Sequence, residues 1–124
     1  MTLQTALDQA DQMKPNMMDR QLKIAFLTEI EQMWYTEVMM NHEHDEIGVI
    51  PVYDVDTDPG TELLVPDPYS NFYKYWLMMK IDEQTLEMDK QNNDAALFEQ
   101  WWGTASDWYT RHHMPITRAP YFRM

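Results

Sequence analysis

A cluster of metal-ligand residue types lies near the middle of the chain. Residues 42–46 read His-Glu-His-Asp-Glu, and imidazole and carboxylate groups are ligands for zinc and other divalent cations. The helical zinc-protease pattern needs two histidines four residues apart around a glutamate, whereas here the residues four apart are His42 and Glu46. We therefore favour a solvated loop at this position over a metal-dependent enzyme.

The other titratable groups offer weaker chemistry. His112 and His113 are adjacent and would not face each other on a helix; one of them is expected to end the last helix, where a cation complements the dipole. The acid pair Asp82-Glu83 has no neighbouring base, nucleophile or oxyanion device, so surface charge is the better interpretation. With three Gly and no Cys, a glycine-rich phosphate loop and thiolate sites are excluded. We predict no catalytic residue, no metal site and no cofactor.

The composition indicates one acidic domain with a substantial core. The 124 residues are 44% hydrophobic and 13% aromatic, which suits a single packed domain. The formal net charge of -12 disfavours binding to nucleic acid or to an anionic membrane, since phosphate contacts need Lys and Arg. We expect no signal peptide and no membrane span. Twelve Met residues indicate adaptable packing or protein contacts.

Two helices are predicted in the first third of the chain. Thr2 is a good N-cap, and the first helix should end at Lys14-Pro15 because proline disfavours helical backbone before it. Its apolar face contains Leu3, Ala6, Leu7 and Ala10. A second helix should begin near Asp19, with an apolar face at helical spacing that contains Leu22, Phe26, Ile30, Met33, Trp34 and Val38. The opposite, solvated face is predicted to carry Lys23, Glu29, Glu31 and Glu37.

Residues 41–67 lose helical periodicity and are rich in proline, glycine and aspartate. Two short strands, Ile47 to Val55 and Glu62 to Val65, could form a hairpin around a turn at 58–60. Pro51 would limit the first strand to a sheet edge or a bulge. An ordered excursion without a sheet is the alternative.

Two long antiparallel helices are predicted in the second half. Asp67 should cap the third helix, which runs to about Met88, and the Asn-Asn pair at 92–93 offers a break. The fourth helix should run from about Asp94 to Arg111 with an aromatic stripe that is interpreted as core; it contains Phe98, Trp101, Trp102, Trp108 and Tyr109. Gly103 within it indicates a close backbone contact. Two prolines in residues 112–124 predict an extended tail. The four predicted helices indicate one all-α domain over residues 1–124.

Charge is unevenly distributed along the chain. Residues 41–67 contain eight acids and no Lys or Arg, whereas residues 111–124 contain three Arg, two His and no acid. Opposite patches on one protein suit a head-to-tail contact that closes into a ring. Ordinary solvated charge is an equally good interpretation of this pattern.

A series of short motifs extends along most of the chain. A helix over 25–38 (AFLTEIEQMWYTEV) is followed by LLVPDPYSNFY at 63–73, a long helix through 80–82 (KID), NN at 92–93, DWY at 107–109 and HMP at 113–115. This series resembles a family of small proteins encoded in phages and prophages of Gram-positive bacteria. Their helical plan is similar to that of phage head–tail connector, or adaptor, proteins. The resemblance covers most of the chain and carries no catalytic residues.

The resemblance implies a structural virion protein. Connector subunits form a ring, commonly of twelve, that docks under the portal protein, extends the channel through which the genomic DNA passes without specific binding, and receives a tail-side connector or stopper protein. It implies a location at the head–tail junction after assembly in the host cytoplasm. We hypothesise that the tail latches onto the portal or a neighbouring subunit through Arg118, Tyr121, Phe122 and Arg123. We also hypothesise that Asp54, Asp56 and Asp58 contact a neighbour or line the channel.

Two rival functions remain. An acidic DNA-mimic inhibitor would present rows of carboxylates to a basic DNA-binding enzyme, and it would be a monomer or dimer. A small metal-dependent enzyme built on His42 to Glu46 would bind stoichiometric metal. We rank the connector above the mimic, and the mimic above the enzyme.

Overall fold

A computed structural model describes residues 1–42 and 50–114 of the chain. These residues form four α-helices, α1 (Leu3–Met13), α2 (Arg20–Glu37), α3 (Phe72–Thr85) and α4 (Met88–His112), with short 3-10 turns at Met39–Asn41 and Tyr69–Asn71. No β-strand occurs within the two described ranges. The protein is therefore mainly helical, as predicted, and no helix in these ranges is both long and apolar enough to cross a membrane.

Helix α1 follows its local sequence signals closely. The Thr2 side chain accepts a hydrogen bond from the Thr5 N–H at 3.1 Å and so caps the helix. The helix ends at Met13, one residue before Lys14 and two before Pro15. The four predicted apolar residues, Leu3, Ala6, Leu7 and Ala10, are all buried.

Helix α2 begins as predicted but buries a different face. The Asp19 carboxylate caps it by accepting from the Gln21 N–H at 3.3 Å. The buried residues are Lys23, Ile24, Leu27, Ile30, Glu31 and Trp34, whereas Leu22 is exposed and Phe26 and Met33 are only half-buried. The prediction that Lys23 and Glu31 are solvated is wrong, because each has a polar partner inside the fold. The Lys23 ammonium lies 2.9 Å from an Asp11 carboxylate oxygen.

The boundary between α3 and α4 also differs from the prediction. The prediction that Asp67 caps α3 is wrong, because α3 begins only at Phe72, after Asn71, and Asp67 instead accepts from the Ser70 hydroxyl in the preceding 3-10 turn. Helix α3 ends at Thr85 because Leu86 adopts a left-handed conformation with φ 60°. Helix α4 starts at Met88, so the predicted start at Asp94 is wrong. The two asparagines that were expected to break the chain, at 92–93, lie inside α4.

Helices α3 and α4 pack as an antiparallel hairpin. Ring centroids lie 4.8 Å apart for Tyr69 and Trp108, 5.1 Å for Phe72 and Trp102, and 5.3 Å for Trp76 and Phe98. Residue numbers rise along α3 as they fall along α4, which defines the antiparallel order. The predicted core role of the aromatic stripe is confirmed by these contacts.

Trp34 of α2 packs against both helices of the hairpin. The Trp34 ring stacks on Phe72 at 5.6 Å and meets the edges of Trp102 at 5.4 Å and Tyr109 at 5.6 Å. Such aromatic contacts stabilise a core beyond the area that they bury. The close backbone contact expected at Gly103 is absent from the described residues, since a Cβ atom placed there would meet nothing within 4 Å.

Candidate interaction surface

The acidic connection between α2 and α3 is anchored on α2 by hydrogen bonds near its start. The Thr28 hydroxyl donates to the Tyr53 carbonyl at 3.3 Å and accepts from the Tyr53 N–H at 3.0 Å. One turn further along α2, the Gln32 side-chain amide donates to the Pro51 carbonyl at 3.1 Å. These bonds fix the backbone of residues 51–53 to the outer face of α2.

A buried glutamate holds the rest of the connection. Glu31 is fully buried and accepts from the Tyr53 hydroxyl at 2.7 Å, from the Leu64 N–H at 2.9 Å and from the Tyr73 hydroxyl. The Tyr73 oxygen in turn accepts from the Val65 N–H at 3.1 Å. One carboxylate therefore ties both ends of the described connection to α2 and α3.

The electrostatics of this network follow from its burial. Burial raises the pKa of Glu31, although the hydrogen bonds from Tyr73, Leu64 and Tyr53 lower it in part. Burial and the nearby Glu31 charge raise the pKa of Tyr53 and of Tyr73, so both phenols stay protonated and remain donors. Because a buried acceptor with three donors is costly to replace, the network fixes the connection in one conformation.

The second half of the connection pairs with the start of the chain. The Leu3 N–H donates to the Thr61 carbonyl at 2.9 Å and the Gln4 N–H to the Pro59 carbonyl at 3.1 Å, which satisfies two amides in the first turn of α1. Thr2 and Glu62 form an isolated antiparallel bridge. The predicted hairpin is not formed by the described residues, and residues 47–49 of its first strand lie outside them.

The three predicted acidic site residues lie together on this connection. The Asp54 carboxylate accepts from the Asp56 N–H at 2.9 Å and from the Thr57 hydroxyl at 3.2 Å. The predicted turn is confirmed, since Asp58 accepts from the Gly60 N–H at 2.9 Å. Asp54, Asp56 and Asp58 are all exposed. We call residues 50–58 the acidic surface.

Exposed apolar side chains lie next to these carboxylates in the same segment. Ile50, Val52 and Val55 are exposed, and Val52 is 70% exposed although its neighbours are hydrogen-bonded to α2. Val55 lies between Asp54 and Asp56, whereas Ile50 and Val52 precede them, so the anchored segment exposes an apolar part and an acidic part side by side. The acidic surface is therefore a preformed surface whose side chains offer both apolar and negatively charged contacts.

The remaining predicted site residues cannot be placed beside it. Arg118, Tyr121, Phe122 and Arg123 lie outside the described residues, as does the predicted tail from residue 115 onward. Helix α4 extends through His112, so the tail begins later than predicted.

The histidines that could bind a metal are engaged in the fold where they are described. His42 Nδ1 lies 2.7 Å from the Val38 carbonyl and Nε2 lies 3.2 Å from the Thr110 hydroxyl, while His113 stacks on Tyr109 with ring centroids 3.8 Å apart. Residues 43–46 of the predicted cluster are outside the described ranges. Within those ranges, no group of three or more His, Asp and Glu residues is positioned to hold a metal ion.

Lys14, Asp82 and Asp94 form a buried ionic cluster that was not predicted from the sequence. The Lys14 ammonium lies 3.0 Å from Asp82 and 3.2 Å from Asp94, and both carboxylates are buried. The prediction that Asp82 is surface charge is therefore wrong. Helical spacing indicates that Asp94 and Glu31 face the core. Asp94 precedes Phe98 by four residues and Glu31 precedes Trp34 by three, so each acid shares a helix face with a core aromatic residue.

Known proteins offer no guide to this arrangement. No family model, curated protein or solved structure matches the chain.

Proposed function

We propose that this chain is a structural, non-catalytic subunit of a tailed-phage head–tail connector. In this proposal, copies assemble as a ring under the portal protein and extend the DNA channel. The observation that carries the proposal is the acidic surface, which is exposed, partly apolar and held in one conformation by Thr28, Glu31 and Gln32. A surface that is ordered before binding loses little conformational entropy when a partner docks.

Charge supports a contact between successive copies. The acidic surface belongs to a stretch with eight acids and no Lys or Arg, whereas residues 111–124 carry three Arg and no acid. A head-to-tail contact between two different patches of the same protein propagates around a ring until the rotation closes. The acidic surface of one subunit would then meet the basic tail of the next.

Charge also supports passage of DNA through the ring. A net charge of -12 for each copy gives an assembled ring a strongly negative field, which repels phosphates. DNA would therefore slide through such a ring without adhering to its wall.

The deciding measurement is the mass of the purified protein, alone and mixed with a portal protein encoded in the same genome. We expect a large ring or a portal-bound complex. A monomer or dimer that ignores the portal but captures a basic DNA-binding enzyme in a salt-sensitive complex would instead establish the DNA-mimic function.

Charge reversal tests the acidic surface. The triple variant Asp54→Lys, Asp56→Lys and Asp58→Lys should lose assembly or portal docking while its helical circular dichroism is unchanged. The matched control reverses three exposed acids elsewhere, at Asp8, Glu99 and Asp107, and should assemble normally. Equal assembly of both variants would contradict a role for the acidic surface.

Truncation tests the tail. A chain that ends after Met114 lacks Arg118, Tyr121, Phe122 and Arg123 but retains all four helices. We expect it to fold and to fail in docking. Docking at full strength would remove the tail from the proposal and leave the acidic surface as the contact.

A further inference from the structure

Exposed apolar side chains gather at the end of the molecule opposite the α3 N-terminus. Met13 and Met17 lie at and just after the end of α1, Leu22 lies in the first turn of α2, and Leu86 and Met88 lie at the turn between α3 and α4. All five are exposed, and Met17 is completely so. These exposed apolar side chains lie together at one end of the molecule. Apolar residues grouped in this way mark a binding surface, whereas singly scattered ones do not.

These side chains border three neighbouring depressions. A depression of about 370 Å³ lies between residues 16–19, Leu22 and the end of α3. It shares Ile81 and Thr85 with a second depression of about 410 Å³, which contains Met13. The second depression shares Glu87 and Lys90 with a third, lined by Leu86 and Met88. We call these three adjoining depressions together the tip groove.

Leu86, at the edge of the tip groove, has a backbone conformation that lowers local stability. Its φ of 60° is a left-handed conformation, which glycine or asparagine adopts at lower cost at a helix C-terminus. Its side chain is 82% exposed, so packing within the chain does not explain a leucine there. A strained, exposed leucine beside an apolar groove is typical of a binding residue.

The charge of the groove identifies the kind of partner. Its lining includes four carboxylates and two lysines, but Asp82 is fully buried, so the exposed acids are Asp19, Glu87 and Asp89. Lys14 already pairs with Asp82 and Lys90 already pairs with Glu87. An apolar groove with an acidic rim is complementary to a ligand with one apolar face and flanking positive charges. Methionines suit such a groove because their flexible, polarisable side chains adapt to the ligand.

We propose that the tip groove binds a basic amphipathic helix of a partner protein. The helix would place its apolar face against Met17, Leu22 and Leu86 and its Lys or Arg side chains near Asp19 and Asp89, a helix-in-groove arrangement. The tip groove and the acidic surface contain no common residue. The groove therefore offers a second attachment point, which does not depend on ring formation.

A second copy of the chain fits the groove poorly. A symmetric contact between two copies would bring Asp19 and Asp89 of one groove close to the same acids of the other, and like charges across an interface oppose association.

Binding of a model helix tests the proposal on the full chain. The probe is a labelled synthetic peptide of about 18 residues with leucines at helical spacing and lysines on the opposite face. The control peptide has the same composition in an order without an apolar face. We expect the first peptide to bind, as measured by fluorescence anisotropy, and the control to bind at least about tenfold more weakly.

Methyl-labelled methionine locates the binding site by NMR. The peptide should shift the methyl signals of Met13, Met17 and Met88 and leave those of Met40 and Met114, which are exposed elsewhere, in place. Shifts at Met40 or Met114 instead, or equal binding of both peptides, would overturn the proposal.

Paired variants separate binding at the groove from non-specific apolar binding. Met17→Ser with Leu86→Asn should weaken peptide binding at least about tenfold, whereas the matched double variant Met40→Ser with Met114→Ser should not. Every substituted side chain is exposed, so the fold should persist in both. Unchanged binding of the first variant would refute the assignment.

Two further measurements exclude other occupants. Concentration-dependent self-association that shifts Met17 and Met88 without peptide would assign the groove to a second copy instead. Zwitterionic phosphatidylcholine vesicles that shift the same methyls would assign it to lipid. We expect neither effect.

Discussion

At the scale of single residues, Lys14 joins three helices. Its ammonium group follows the end of α1 and contacts Asp82 on α3 and Asp94 on α4. Burial raises the pKa of Asp94 to about 6, and a hydrogen bond with Asp82 adds to this effect, although Lys14 opposes it. Burial lowers the pKa of Lys14, but the hydrogen bonds with both carboxylates outweigh that effect and leave it raised. Asp94 is thus a source of pH dependence near neutrality.

The Asp94→Asn variant should be more stable than the natural chain at neutral pH. The pKa of Asp94 is about 6 in the folded state against an ordinary value of 3.8, so the folded state binds the proton more tightly than the unfolded state does. The free energy of unfolding should therefore fall as pH rises from about 4 through 6. Asparagine removes this loss and should stabilise the protein on the order of 1 to 2 kcal/mol above that range.

Urea unfolding at about pH 4 and pH 7.5 measures the effect. The two proteins should differ little at the lower pH and diverge at the higher one. Asp89→Asn is the control, because Asp89 is exposed. A variant that is less stable than the natural chain at pH 7.5 would show that the Lys14–Asp94 attraction outweighs burial.

At the scale of helices, the α3–α4 hairpin contains two residues that lower its stability. Gly103 lies inside α4, and glycine has the lowest helix propensity of any residue except proline. Leu86 occupies the left-handed position of the turn between the helices. Each has a substitution that improves the local structure.

Gly103→Ala should stabilise the protein by up to about 1 kcal/mol. Alanine reduces the backbone entropy lost on folding, and its Cβ would meet nothing within 4 Å. Thermal unfolding followed by circular dichroism should show a higher midpoint. A lower midpoint would mean that the site is occupied in solution by an atom outside the described residues.

Leu86→Gly should also stabilise the protein, by about 1 kcal/mol, because glycine adopts positive φ without the steric cost that leucine bears. The lost side chain is 82% exposed, so little burial is sacrificed. Chemical denaturation measures the gain, and the same variant should bind the model helix more weakly. If stability falls, the Leu86 side chain has a packing role within the chain.

At the scale of the whole molecule, self-repulsion is the main consequence of composition. A net charge of -12 on 124 residues destabilises the compact state, and salt screens exposed charges beyond about 10 Å at 0.1 M. Raising NaCl from about 0.02 M to 0.3 M should therefore raise the unfolding midpoint by several degrees. A sucrose control at matched osmolality should show less effect. A midpoint that falls with salt would indicate that the Lys14 and Lys23 pairs dominate instead.

Sequence-local features were predicted well. The start and end of α1 and the start of α2 depend on Thr2, Lys14-Pro15 and Asp19, and capping and proline act within a few residues. The helical content and the core role of the α4 aromatic stripe likewise follow from periodicity. The acidic side chains Asp54, Asp56 and Asp58 are exposed, as their composition indicated.

Features that depend on distant partners were not predicted. Glu31 and Lys23 are charged, so sequence placed them in solvent, yet Tyr53, Tyr73 and Asp11 supply the partners that permit burial. Leucine seldom adopts the positive φ that ends a helix, so residue type does not identify Leu86 as a helix end. The predicted end of α3, at about Met88, is therefore too late.

The amino-acid sequence by itself determined the helical class, the capped helix starts and the uneven charge of this protein, because each depends on neighbours within a few turns. Only the tertiary structure decided which charges are buried, how the acidic connection is anchored, and where the exposed methionines and leucines gather. Those outcomes require atoms that are far apart in the chain to meet. The Tyr73–Glu31 contact spans 42 residues; the spacing of Glu31 and Trp34 indicates that Glu31 faces the core, but it does not identify Tyr73 as the partner.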